Sequence, residues 1–231
     1  VFGDRVNEGN RLSVTCAVVD FYGLRWRNGS SAVIRDESSD GYSGNGGLFR
    51  FMQTTPARYQ YITGGFNVAT GKGPSFPNIS VENSPGIFLD DLSDLKIVNT
   101  LDLENGYLFL NGWNLVMGHH TPGNIRNYSS RHFIVNGGSF GGGFLYRSNI
   151  SGAGNTIVFP IGTTPSSYTP VAVENQGAAT VIRASVSDSV RKNLTTGSNL
   201  LLTSVNKTWQ VDMAQPDAAV ALHLAFDKSD Q

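Results

Sequence analysis

The chain has 231 residues and a formal net charge of -1, and Gly, Asn, Ser and Thr account for 86 of its positions. Charged residues are only 15%, against about 25% in an average soluble domain, so there is no electrostatic footprint for nucleic acid or an anionic membrane. No run approaches the roughly 18 to 20 apolar residues of a membrane helix, and Glu, Lys, Ala and Leu are too few for a helical bundle, which leaves an all-β chain rich in turns.

Residues 1 to about 75 read as an irregular cap region. Short β-like runs occur at Arg11–Val19, Leu24–Arg27, Ala32–Arg35, Leu48–Met52 and Tyr59–Thr63. Glycine-rich breaks such as 40–47 separate them, since glycine permits the positive φ of tight reversals. Cys16, the single cysteine, lies in the apolar run 12–19 and reads as a buried free thiol. The start at Val1-Phe2-Gly3 reads as a processed or excised segment.

Residues 76 to 118 are the most regular. Six short runs, from Ile79-Ser80-Val81 to Leu115-Val116-Met117, alternate apolar and polar residues as half-buried strands do. Their connectors, such as Asn83-Ser84-Pro85-Gly86 and Glu104-Asn105-Gly106, carry turn chemistry. Antiparallel hairpins would use such turns, and so would a β-solenoid whose short strands stack in parallel on the next coil. Asn at the corners (Asn83, Asn99, Asn105, Asn111 and Asn114) favours the solenoid, because Asn tolerates left-handed backbone and its amides can ladder between successive coils. The scarcity of charge fits the same reading, since a stacked column of like charges would repel.

The style continues through His132–Asn136, Phe144–Arg147 and Thr156–Phe159, then changes at Pro160. The Pro/Ser/Thr-rich stretch Gly162–Ser167 marks a boundary. Longer strands follow at Thr169–Glu174, Ala179–Val186, Asn199–Leu202, Asn206–Met213 and Ala218–Ala225. The expected architecture is therefore all-β. A parallel β-helix or solenoid over 1–162, with its irregular N-terminal part over 1–75, precedes a small antiparallel β-sandwich over 163–231.

Few residues suggest chemistry. Asp90, Asp91 and Asp94 share one turn, and Asp36, Glu37 and Asp40 share another; both are weak calcium candidates, because calcium needs about six to eight oxygens from a carboxylate-dense loop. His119-His120 would point to opposite faces of a strand and share a metal poorly. No nucleophile elbow, zinc-helix signature or phosphate loop occurs. No catalytic residue, resident metal or cofactor is expected. Tyr22, Trp26, Tyr42 and Trp113 are candidates for stacking on sugars, with Tyr59 and Tyr61 nearby; packing is the competing use of such rings.

From Phe76 onward the order of motifs resembles a recurrent unit of large secreted adhesin-like surface proteins of Bacteroidota, many exported by type IX secretion and some involved in gliding. The likeness rests on Phe76–Leu89, the coil Leu101–Leu115, Phe133-Ile134-Val135-Asn136-Gly137, the junction Phe159-Pro160-Ile161-Gly162 with Tyr168-Thr169-Pro170-Val171, and Asn206-Lys207-Thr208-Trp209. It covers about residues 45 to 226; the first 45 match nothing in the family pattern, and no terminal sorting domain is evident. The resemblance implies a right-handed β-helical stalk, an extracellular location and an adhesive or structural role, with copies of itself or flanking domains as partners. The alternative is a carbohydrate-binding or polysaccharide-degrading module with surface glycans as partners. Convergent carboxylates in a groove, or a row of exposed aromatics, would mark that alternative.

Overall fold

A computed structural model describes residues 3–7, 9, 11–14, 16–35, 46–90, 93–137, 142–152, 154–193, 196–199, 205–215 and 219–226. The fold is all-β, with 56% strand and no helix among the described residues. The strands are β1 (Arg5–Asn7), β2 (Arg11–Ser13), β3 (Val18–Phe21), β4 (Arg25–Asn28), β5 (Val33–Arg35), β6 (Leu48–Met52), β7 (Gln60–Thr63), β8 (Phe76–Glu82), β9 (Ile87–Leu89), β10 (Leu95–Asn105), β11 (Leu108–Phe109) and β12 (Leu115–Met117). They continue as β13 (Asn124–Arg126), β14 (Ile134–Val135), β15 (Leu145–Ile150), β16 (Thr156–Phe159), β17 (Ile161–Thr164), β18 (Ser167–Tyr168), β19 (Val171–Asn175), β20 (Thr180–Asp188), β21 (Arg191–Asn193), β22 (Thr196–Asn199), β23 (Lys207–Met213) and β24 (Val220–Leu224).

Two long sheets dominate. The first has the order β1-β4-β7-β9-β11-β14-β17-β18, the second β23-β20-β15-β12-β10-β8-β6-β3, with β13 also on β10. From β6 to β12 successive strands alternate between the two sheets. Short apolar runs joined by Asn/Gly turns therefore do not fold back on their neighbours as hairpins. Each pairs in parallel with a strand one turn of chain away, as in β6·β8, β8·β10 and β10·β12. Parallel pairing gives way to antiparallel at β17·β18 in the first sheet and β15·β20 in the second.

Alternation within each strand sends one set of side chains inward. Register then stacks them in columns: Phe21, Phe51 and Val81 form one, and Phe49, Ile79, Leu101 and Ile125 another. Trp26 lies edge-on to Phe21 and Phe49 with ring centroids 5.5 and 5.4 Å apart. Phe49 in turn meets Phe76 at 4.9 Å. The interior is continuous from Val14 to Val186, and Val171, Val173, Ile182 and Ala184 of the antiparallel part belong to it. In β20 the inward face is Thr180, Ile182, Ala184 and Val186, as its alternation requires.

One interior column carries a charge where it passes into the antiparallel strands. Phe76, Ile97, Met117 and Arg147 are successive register partners. Arg147 is buried and donates to three backbone carbonyls, those of Pro122, Val158 and Gly123, at 2.8 to 3.0 Å. Burial pulls its pKa down to about 10. The guanidinium thus ties β15 to the chain before β13 and to β16, at the strand where the second sheet turns antiparallel.

The corners explain much of the Gly and Asn content. Gly86 and Gly106 have φ of 101° and 121°, and a Cβ at Gly106 would lie 2.1 Å from the carbonyl oxygen of Asn83. Only glycine permits so close an approach of two turns of chain. Corner amides bond to neighbouring backbone: Asn83 Nδ2 donates to Arg58 O, and Asn111 Nδ2 to Leu89 O.

Cys16 departs from expectation. It is exposed, and its φ of 53° places it in a corner between β2 and β3. The apolar run 12–19 is two strands, not one; Val14 is buried whereas Val18 is 56% exposed.

Candidate functional site

The outer face of the second sheet carries a polar column. Asp20, Arg50, Ser80, Asp102 and Arg126 are successive register partners across β3, β6, β8, β10 and β13. Acid and base alternate around a serine, so neighbours attract. Arg50 grips Asp20 through two bonds, Nε to Oδ1 at 2.6 Å and Nη2 to Oδ2 at 2.8 Å. That grip holds the Asp20 carboxyl below its ordinary range and raises the Arg50 pKa. Arg126 Nε stands 3.9 Å from Asp102 Oδ2.

Flanking columns widen this face. Leu48, Asn78 and Thr100 lie on one side, and Met52, Glu82 and Asn105 on the other. Leu48, Asn78, Thr100, Glu82 and Asn105, with Glu104 and with Arg50, Ser80, Asp102 and Arg126 of the central column, line a groove of about 810 Å³. Its side chains are held in place. Asn127 Nδ2 donates to both Asp102 Oδ1 (2.7 Å) and Glu104 Oε1 (2.8 Å), and Ser80 Oγ donates to Glu82 Oε1 at 3.0 Å. Asn78 is 9% exposed and donates through Nδ2 to the carbonyls of Gly46 and Gly47.

The outer face of the first sheet is aromatic. Arg25, Tyr61, Phe88, Phe109, Val135 and Gly162 form its column. Phe88 and Phe109 stack nearly parallel, 4.2 Å apart at 5°, and Tyr61 stacks on Phe88 at 5.9 Å. Arg25 covers the Tyr61 ring at 4.6 Å. Tyr59 packs edge-on against Phe88 and Phe109, while Tyr107 and Tyr168 flank Phe133. Burial beside these rings pushes the Tyr168 pKa up to about 12. The stacked rings spend their faces on one another, which leaves little flat surface for a sugar.

The structure separates the acidic candidates. Asp94 is buried: Oδ1 accepts from both nitrogens of Asn114, and Oδ2 accepts from the Val68 N–H. Asn114 Oδ1 accepts from the Phe144 N–H, so this pair ties strands of several turns together. Asp90 forms an ion pair with Arg25. Asp91, Asp36, Glu37, Asp40 and Tyr42 lie outside the described residues. Among the described residues no group of three or more His, Cys, Asp or Glu is placed to hold a metal. His119 and His120 stand ring to ring at 4.2 Å.

The aromatic candidates also part company. Trp26 is 5% exposed and donates through Nε1 to Asn28 Oδ1, so its ring is core. Its neighbours Arg25 and Arg27 already signal this, since alternation with two arginines sends the Trp inward. Trp113 packs half-buried against the core, and Tyr22 is at the surface. The groove residues escaped sequence reasoning, because they come together only through the register of strands separated by turns of unequal length. The groove presents fixed acceptors and donors in rows, a hydrogen-bonding surface. No protein-family model, no curated protein and no solved structure matches the chain.

Proposed function

We infer that this chain is a segment of a secreted, cell-surface adhesin-like protein of the Bacteroidota type, and that it acts as a stalk or filament element. In this reading the parallel strands form a right-handed β-helix, and the antiparallel strands after it form a small sandwich-like unit. The observation that carries the reading is the uninterrupted parallel pairing from β1 to β17 and from β3 to β15. Backbone hydrogen bonds then run from coil to coil along one axis, and length comes from repetition rather than from a catalytic centre. Right-handed crossover is the overwhelming preference of parallel β connections. The ordered motifs from Phe76 to Trp209 support the extracellular and type IX assignment.

Edges favour self-association or flanking domains as partners. Strands β1 and β3 end their sheets, and Val6 and Val18 on them are 60% and 56% exposed. An uncovered strand edge is a template for another strand. Size-exclusion chromatography with light scattering tests this. A mass that grows with concentration is expected; a strict monomer at every concentration contradicts it.

A further inference from the structure

We propose that the groove on the outer face of the second sheet binds a neutral oligosaccharide laid across the strands. Its floor is the outward face of β6, β8, β10 and β13, so its polar groups recur at the strand spacing of ~4.8 Å. That spacing is close to the length of one pyranose unit in an extended glycan, so successive sugars meet successive rows. Vicinal hydroxyls are both donors and acceptors, and the groove supplies both kinds of partner in fixed positions. Glu82, Asp102 and Glu104 are acceptors, and Arg50 and Arg126 are donors.

Two further features point to a polar ligand. Asn78 lines the groove with its amide nitrogen held by two backbone carbonyls, which fixes its Oδ1 as an acceptor at the groove wall. A ligand hydroxyl can donate to it without any side chain having to reorder. Charge decides the ligand class. Three carboxylates and two guanidiniums line the groove, with Arg50 already gripped by Asp20. A polyanion would meet the carboxylates and a polycation the arginines, whereas a neutral polyol meets no repulsion. The aromatic face of the first sheet plays no part, since its rings are stacked on one another.

The test is calorimetric titration of the full chain with hexasaccharides of β-1,4-glucan, β-1,3-glucan, β-1,4-mannan and β-1,4-xylan. Polygalacturonate and poly-lysine serve as charged comparators. At least one neutral hexasaccharide should bind with a Kd of about 1 mM or tighter. Losing one charged hydrogen-bond partner, in Glu104→Gln or Asp102→Asn, should weaken it roughly tenfold. Asp212→Asn, outside the groove, should leave it unchanged, and circular dichroism of each variant checks the fold. The idea is overturned by no binding of any neutral hexasaccharide, by tighter binding of polygalacturonate or poly-lysine, or by folded groove variants that bind like the parent. These outcomes are independent of self-association and leave the stalk reading to its own experiment.

Discussion

The two long sheets share one construction and put opposite chemistry on their outer faces. On the first, the column Arg25, Tyr61, Phe88 and Phe109 closes on itself, ring against ring. On the second, the column Asp20, Arg50, Ser80, Asp102 and Arg126 stays polar and opens into a groove. Identical strand spacing serves both. Apolar rings stacked at that spacing exclude water and gain dispersion, at roughly 0.5–1.5 kcal/mol per aromatic pair beyond area burial. Charged groups at the same spacing keep their water, and an exposed ion pair gains only about 0–1 kcal/mol. The first outer face is therefore built for cohesion, and the second is a solvent-facing lattice of ion pairs and hydrogen bonds.

The largest effect should come from the apolar face. Phe109 is 1% exposed although it points away from the main core, covered by Phe88, Tyr59 and Tyr107. Phe109→Ala should cost about 3–5 kcal/mol in urea denaturation, as for any fully buried ring. A loss below about 1 kcal/mol would mean the cluster is loose, and the contrast between the faces would break.

Alkali probes the same face. Burial raises the Tyr168 pKa to about 12, above the unfolded value of about 10. The folded state then binds the proton more tightly, so the stability is intact below pH 10 and falls as pH rises toward 12. Tyr168→Phe should flatten that decline in thermal melts recorded between pH 9 and 12. An unchanged slope would place the titration elsewhere.

The smallest effect belongs to the polar face. The Asp20 and Arg50 side chains are each 34% exposed, so Asp20→Asn should cost below about 1 kcal/mol at pH 7. Arg50 depresses the Asp20 pKa. The contribution is therefore present above the ordinary carboxylate range and lost as pH falls through the lower folded value. The difference in stability between parent and variant should vanish once pH has fallen through that value. A difference that persists there would assign the effect to packing rather than charge.

Alternation made much of the fold legible. The buried set of β20 and the short parallel strands joined at Asn/Gly corners follow from period-two patterning and turn chemistry, whereas Trp26, expected as a sugar-stacking candidate, is core. Asn83 and Asn111 were legible as corner links, although they bond to backbone carbonyls rather than to each other; Asn114 bonds the Asp94 carboxylate, and Asn99 and Asn105 lie within β10 rather than at corners. Cys16 was misread because an apolar run does not reveal a corner within it. The groove was not legible at all. Arg50, Ser80, Asp102 and Arg126 become neighbours only when turns of unequal length are laid in register, and no fixed period in the sequence marks them. Asp90 and Asp94 stand out locally as an acidic turn, yet one is held by Arg25 and the other by backbone and amide donors from adjoining turns.

The most direct test of the contrast is a pair of double-mutant cycles in urea, Phe88 with Phe109 and Asp102 with Arg126. Cohesion through the stacked rings predicts a coupling of about 0.5–1.5 kcal/mol for the first pair and close to zero for the second, whose atoms stand 3.9 Å apart with Arg126 largely exposed. Equal couplings, or a first coupling indistinguishable from zero, would contradict the division of labour between the two faces.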